Sequence, residues 1–254
     1  MAAMAPIIWL WEASDGTLLG AAHREGPGEV FLELRPEARQ LEPSMLAWAE
    51  AHLAVTGSSR QPEVELAAYE DDQPRQRVLA ARGYEIRATG GRIRTMRIGP
   101  SAAATLPLPF GYDLATAGGS ASDCARMAAL LNDAFGRVAH TAREYRTFVE
   151  QSPSFDEGLN LVAVAGDGTF ACHVGISLDP MNRHAIVEPV ATAAAHRRHG
   201  LARTLLIEGL RRAADRGSTV ASVETGDEVA ANAFYETCGF GDAHAFHIWR
   251  KVVG

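Results

Sequence analysis

The sequence predicts an α/β fold (an α+β mixed sheet) in two domains, the N-terminal one a truncated and degenerate copy of the C-terminal one. Three observations predict it. Short apolar, β-branched runs alternate with segments whose apolar residues recur at helical spacing, as strands packed under helices do. The run Val187-Glu188-Pro189-Val190-Ala191-Thr192 ends in a short turn, and a long amphipathic segment starts on it. The order of elements after residue 112 also echoes the order before residue 99, the mark of an internal duplication.

In the N-terminal half, apolar runs give strands at 7–13, 18–24 and 29–35, the first two joined by a turn at Asp15-Gly16. A helix follows from Met45 to Ala54, then a strand from Glu63 to Tyr69. A second helix, Gln73 to Ala81, is closed by Arg82-Gly83-Tyr84. Residues 100–111, rich in Pro and Ala and without periodicity, read as a linker between a domain at 1–99 and one at 112–254. Tyr112-Asp113-Leu114 opens the second domain as a strand. Met127, Leu130, Leu131 and Ala134 mark a helix over 123–135. Thr141 caps the next helix, and Glu144 completes a capping box. Leu161 to Ala165 and Phe170 to Leu178 are strands joined at Gly166-Asp167-Gly168, and Ala185 to Thr192 is the next. Leu201, Leu205, Leu206, Leu210, Ala213 and Ala214 form one stripe of a surface helix, with Arg203, Glu208, Arg211, Arg212 and Asp215 mostly opposite. A strand from Val220 to Thr225 and a helix from Glu228 to Cys238, capped by Gly239, complete the pattern.

Composition narrows the partners. At 47% apolar, the 254 residues suffice to fill a core, and a net charge of −7 speaks against general attraction to nucleic acid or an anionic membrane. Cys124, Cys172 and Cys238 are too far apart for a disulfide framework or a structural zinc site. The apolar run from Pro6 to Trp11 lacks a basic flank and a cleavage signal, and no stretch is long enough to span a bilayer. These features together predict a cytoplasmic protein. No metal site is expected: His196 and His199 have no Cys or carboxylate to complete a set, His244 and His247 fall on opposite strand faces, and His173 reads as structural. Ser120 and Ser122 lack a Gly-x-Ser-x-Gly context, and a Gly-Lys-Ser/Thr phosphate loop is absent from the sequence.

The turn Arg197-Arg198-His199-Gly200-Leu201-Ala202-Arg203 carries the most specific chemistry. It brings free backbone N–H groups to a helix N-terminus beside arginines, a ready anion site. Basic charge at that end opposes the helix dipole and so calls for an anion. Gly200 lets the backbone approach a ligand closely, and Ala202 keeps the first turn uncrowded.

With Asn232-Ala233-Phe234-Tyr235 and Cys238-Gly239-Phe240 in register downstream, the C-terminal half resembles the GNAT superfamily of N-acetyltransferases. The Glu188-Pro189-Val190-x-Thr192 segment looks like a tandem-GNAT, mycothiol-synthase-like branch. The resemblance implies two GNAT-like domains and acetyl-CoA as co-substrate, with a small primary amine as acceptor. It implies that Val190, Ala191 and Thr192 form the donor-binding strand. Arg197, Arg198, His199, Gly200, Leu201, Ala202 and Arg203 then form the pyrophosphate loop. There are departures: Glu228 stands where many relatives have Asn, and Val229 where they often have Pro. In the N-terminal copy Glu42 replaces the needed Gly and Pro43 removes an N–H, so that copy is not expected to hold a pyrophosphate.

Two readings stand for each candidate catalytic group. Glu188 lies two residues before Val190, so strand parity puts them on one face; it is either a base acting through water or a surface or salt-bridged carboxylate. Tyr235 matches the family's usual acid, and its alternative is an aromatic packed under the Gly239 turn. Asn232 either bonds the pantetheine amides or is a solvated helix residue. An N–H of Val190 or Ala191 would stabilise the oxyanion. The overall function is either acetyl-CoA-dependent N-acetyl transfer or a non-catalytic acyl-CoA sensor or scaffold; acceptor identity and oligomeric state stay open.

Overall fold

A computed structural model describes residues 8–25, 28–56, 60–99, 106–226 and 228–253. Ile7 at the expected first strand, residues 100–105 of the expected linker, and Asp227 lie outside the described residues. The first half of the chain runs β1 (Ile8–Glu12), β2 (Leu18–Arg24), β3 (Val30–Leu34), α1 (Glu42–His52), β4 (Val55–Thr56), β5 (Pro62–Tyr69), α2 (Gln73–Ala81) and β6 (Glu85–Arg97). The second runs β7 (Tyr112–Thr116), α3 (Ala121–Phe135), α4 (Ala142–Gln151), β8 (Asn160–Ala165), β9 (Phe170–Asp179), β10 (His184–Thr192), α5 (Leu201–Asp215), β11 (Val220–Thr225), α6 (Val229–Thr237) and β12 (Asp242–Val252).

The chain divides into two compact units, Met1–Arg92 with His244–Gly254, and Ile93–Ala243. This division differs from the boundaries expected at 99 and 112. The change of unit falls inside β6, a strand the periodicity does not predict. Most of β12 joins the first unit because Phe246 to Val252 pair antiparallel with Tyr69 to Glu63 of β5.

In the first unit β1, β2 and β3 form an antiparallel sheet in that order. Met45, Leu46 and Ala49 of α1 and Leu53 at its C-terminal cap pack with Val64, Leu66, Ala68 and Trp249 in one core. Helix α1 begins at Glu42, ahead of the expected Met45, because a proline in the first turn has no N–H to leave unpaired.

The second unit holds a mixed sheet in the order β11-β10-β9-β8-β7, with β10 and β11 parallel and the other pairs antiparallel. Helix α5 covers one face, its predicted stripe buried against Val174, Ile176, Ala185 and Val187. Helices α3 and α4 cover the other through Cys124, Met127, Leu130, Leu131 and Tyr145, which pack on Val162, Phe170 and Ala191. The Thr141–Glu144 capping box forms as predicted. Glu208, expected on the open side of α5, is buried instead. Arg211 grips both its carboxylate oxygens and Arg212 one of them, which offsets its desolvation. No helix among the described residues is long and apolar enough to cross a membrane.

Candidate active site

Strand β10 pairs with β9 along its length but with β11 only where His184 to Ile186 meet Val220 to Ser222. Past Ile186 the two strands part, so alternate N–H and C=O groups on that edge of β10 point into a gap. On the β9 side the register shifts between Val187 and Val190, which places Glu188 and Pro189 opposite Gly175 as a bulge. Only glycine fits at 175: a Cβ there would lie 2.7 Å from the Glu188 carbonyl oxygen.

The bulge corrects the parity argument that put Glu188 and Val190 on one face. Val190 packs with Val187 into the core under α5. Glu188 turns to the other face and lines a cavity of about 620 Å³ walled by residues of α4, β9 and β10. Ala191 is buried beneath α3 and α4, and the Thr192 hydroxyl lies 3.2 Å from Sγ of Cys172.

The turn after β10 is built from the end of α3. Asp133 accepts a hydrogen bond from the Ala194 N–H, and Arg197 donates to the carbonyls of Ala134 and Thr192. Arg197 is thus held by carbonyl oxygens and braces the loop, whereas the sequence suggested a phosphate ligand. Arg198 and Gly200 both have positive φ, 65° and 77°, the left-handed region that glycine tolerates best. Arg198, His199, Gly200 and Arg203 are exposed. The His196 ring lies 2.9 Å from the Tyr112 hydroxyl and the His199 ring tilts against Tyr112. Leu201 is buried, Ala202 packs partly buried on the same core, and nothing lies within 4 Å of where a Cβ on Gly200 would stand. The first-turn N–H groups of Leu201, Ala202 and Arg203 have no carbonyl of their own helix to bond. An exposed row of donors beside Arg198 and Arg203 suits a diphosphate.

Tyr235 on α6 is buried, its ring edge-on to Phe234 and Phe240. Its hydroxyl makes no hydrogen bond among the described residues. Burial first, then the charges of Cys238 and Glu188, push its pKa up to about 12, so the phenol keeps its proton at neutral pH. Asn232 differs from expectation. Its Oδ1 accepts from Arg94 and from the Thr225 hydroxyl, and its NH₂ donates to the carbonyls of Gly226 and Glu228. Both lone pairs and both N–H groups are therefore used within the protein, and Asn232 ties α6 to the end of β11 rather than to a ligand.

Arg94, which no sequence signal singles out, anchors the same helix. It is 3% exposed and donates to Asn232, to the Phe240 carbonyl and to Glu236. Replacing Arg94 by Met takes the donor from the buried Phe240 carbonyl and the half-buried Asn232 oxygen, while the exposed Glu236 stays solvated. The expected loss is about 3 kcal/mol, or a fall in Tm on the order of 6–12 °C; an unchanged thermal or urea transition would dismiss this anchor.

In the first unit, the position where the sequence placed a failed pyrophosphate loop is filled from within. Glu42 is 1% exposed and bonds Arg75 and Arg39, and Arg39 also grips Asp72 with two hydrogen bonds.

The cavity floor is built on His173, which the sequence reads as structural, together with Asn160 and Tyr145, which it does not single out. His173, 2% exposed on β9, sits 2.6 Å through Nε2 from Oδ1 of Asn160, whose NH₂ donates to the Tyr145 hydroxyl and to the Ala117 carbonyl. Nε2 must then carry the proton, which leaves the buried Nδ1 as an acceptor without a partner among the described residues. Burial drives the His173 pKa down to about 3, so the ring is neutral. The only hint in the sequence is a histidine inside an apolar strand run.

A mixed sheet whose central strands part over a helix N-terminus is the arrangement of a GNAT-like fold. Residues 125–240 match the profile of the Acetyltransferase (GNAT) family. Solved structures agree on the fold. A GCN5-related N-acetyltransferase from Sphaerobacter thermophilus is 21% identical with a TM-score of 0.69, over 97% of this chain and 80% of that one. A tandem GNAT protein from the clavulanic acid biosynthesis pathway is 18% identical with a TM-score of 0.70, over 98% and 83%. A GNAT-family acetyltransferase from Colwellia psychrerythraea is 15% identical with a TM-score of 0.61, over 96% and 85%. A search of curated proteins gives no match. GNAT proteins are generally acyltransferases, and the fold suggests acyl transfer from an acyl-CoA.

Proposed function

We propose that the protein is an acetyl-CoA-dependent N-acetyltransferase acting by direct attack of a small molecule's primary amine. The observation that carries this reading is the parting of β10 from β11 past Ile186, which leaves an unpaired strand edge leading to the loop at Arg198 and Gly200. Val190, Ala191 and Thr192 offer backbone groups for the pantetheine arm, and an N–H of Val190 or Ala191 stabilises the oxyanion. Leu201, Ala202 and Arg203 offer N–H groups to the diphosphate, with Arg198 and Arg203 as counter-charges. Glu188 takes the proton of the attacking amine through water as the N–C bond forms. The C–S bond then breaks with the departing sulfur held by a hydrogen bond from the Tyr235 hydroxyl, and the thiolate takes its proton from water.

The catalytic domain is 112–254 in this reading, and 1–99 is a degenerate GNAT-like copy joined by 100–111. Glu42 supports the degeneracy: a buried carboxylate held by Arg39 and Arg75 stands at the position matched to the glycine of the C-terminal loop. We assign the chain to the tandem, mycothiol-synthase-like branch on the Glu188-Pro189-Val190-x-Thr192 pattern, and to the cytoplasm on its three separate thiols. Neither nucleic acid nor a membrane enters the reaction, and no metal is needed for it.

The size of the Tyr235 contribution follows from its pKa. Full proton transfer from a phenol near 12 to a thiolate of pKa about 8.5 is uphill by roughly 5 kcal/mol. The phenol therefore acts mainly as a hydrogen-bond donor to the departing sulfur. Tyr235→Phe is expected to lower kcat by about 10- to 100-fold with KM for acetyl-CoA nearly unchanged. The test is thiol release from acetyl-CoA across an amine panel: binding without turnover on any amine, with Tyr235→Phe silent, would instead indicate an acyl-CoA sensor.

A further inference from the structure

The cavity beside Glu188 has a one-sided chemistry that points to a class of acceptor. Its walls are largely apolar, and Phe148 and Phe155 meet edge to face with centroids 5.7 Å apart. Three carboxylates line it, Glu144, Asp156 and Glu188, and no Lys or Arg does. Glu144 is occupied by the capping box and Asp156 by Arg216 at 3.0 Å. Glu188 is exposed to the cavity, with no ion pair among the described residues. His173 lines the floor as a neutral ring whose buried Nδ1 can only accept a hydrogen bond.

We infer that the acceptor is a lipophilic primary amine, an aryl- or alkylamine, that carries no carboxylate or phosphate of its own. This rests on the transferase reading above. An ammonium group is drawn to Glu188, and its apolar body packs on Phe148 and Phe155. An amino acid would have to bring its carboxylate among these acids with only His140, and no Lys or Arg, in the lining to meet it, and a carboxylate taken from water without a firm cation partner is strongly disfavoured.

The test compares 2-phenylethylamine, phenylalanine and ethanolamine as acceptors with acetyl-CoA, and in parallel measures the shift each gives in thermal unfolding. Phenylethylamine is expected to exceed phenylalanine in kcat/KM by at least about 100-fold and ethanolamine by about 30-fold. Ile186, at the rim and 41% exposed, allows a control: Ile186→Arg supplies the missing cation and should recover most of the loss with phenylalanine. Phenylalanine or ethanolamine performing as well as phenylethylamine overturns the inference while the transferase reading stands. So does an Ile186→Arg protein with unchanged preference. If no amine is acetylated but phenylethylamine alone raises the unfolding temperature, the transferase reading falls and the cavity's preference stands. Neither turnover nor a thermal shift with phenylethylamine overturns both.

Discussion

Gly200→Glu leaves the protein folded and removes its affinity for acetyl-CoA. At φ 77° a side chain costs about 1–2 kcal/mol in backbone strain. Nothing stands within 4 Å of the new Cβ, so no steric clash adds to that. A carboxylate at the start of a helix returns roughly 0.3–1 kcal/mol through the dipole, so the net change in stability is small. The same carboxylate lies across the N–H groups of Leu201, Ala202 and Arg203 and repels a diphosphate. The Kd should rise at least about 100-fold, nearly 3 kcal/mol. Gly200→Ala separates the contributions, since it keeps the strain and omits the charge, and should bind within about tenfold of the parent. Calorimetry showing normal affinity for Gly200→Glu would refute the assignment of the loop.

Acid unfolding should be governed in good part by His173. Its folded pKa, about 3, lies below the unfolded value near 6.5. The unfolded chain therefore binds the proton first. The stability that His173 contributes is whole above about pH 6.5 and drains away as the pH falls toward 3. At pH 4.5 the loss is on the order of 3 kcal/mol relative to pH 7.5. Urea unfolding at the two pH values, in the parent and in His173→Gln, isolates this contribution from that of the carboxylates. Equal pH dependence in both proteins would contradict a neutral, buried ring.

What the sequence made legible is what local chemistry determines. The Thr141–Glu144 box, the Gly239 helix stop and the apolar stripe of α5 each depend on residues within a turn or two of one another, and each forms. Strand β6 escaped because Glu85, Arg87, Arg92, Arg94 and Arg97 interrupt any apolar period, and Gly90-Gly91 puts two poor strand formers at its centre. In the structure Gly90 instead makes room for the Phe246 ring, which would stand 2.2 Å from a Cβ there. The facing of Glu188 escaped because alternation assumes an unbroken register, and the bulge opposite Gly175 breaks it. Arg94 was missed because its partners Asn232, Glu236 and Phe240 lie 138 to 146 residues away, and Asn232 was misread because Arg94 claims the lone pair left after its local bonds to Thr225, Gly226 and Glu228. Only the fold supplies such pairs. Gly200 was legible because a positive φ and an open approach leave a trace in one residue type.

Glu42, seated between Arg39 and Arg75, bears on how the molecule counts its ligand. If the two halves share an ancestor, one has become its own counter-ion, and a single cradle stays open to the coenzyme. Saturation should then follow a plain hyperbola with one equivalent per chain, and the duplication would leave no cooperativity for the isotherm to record.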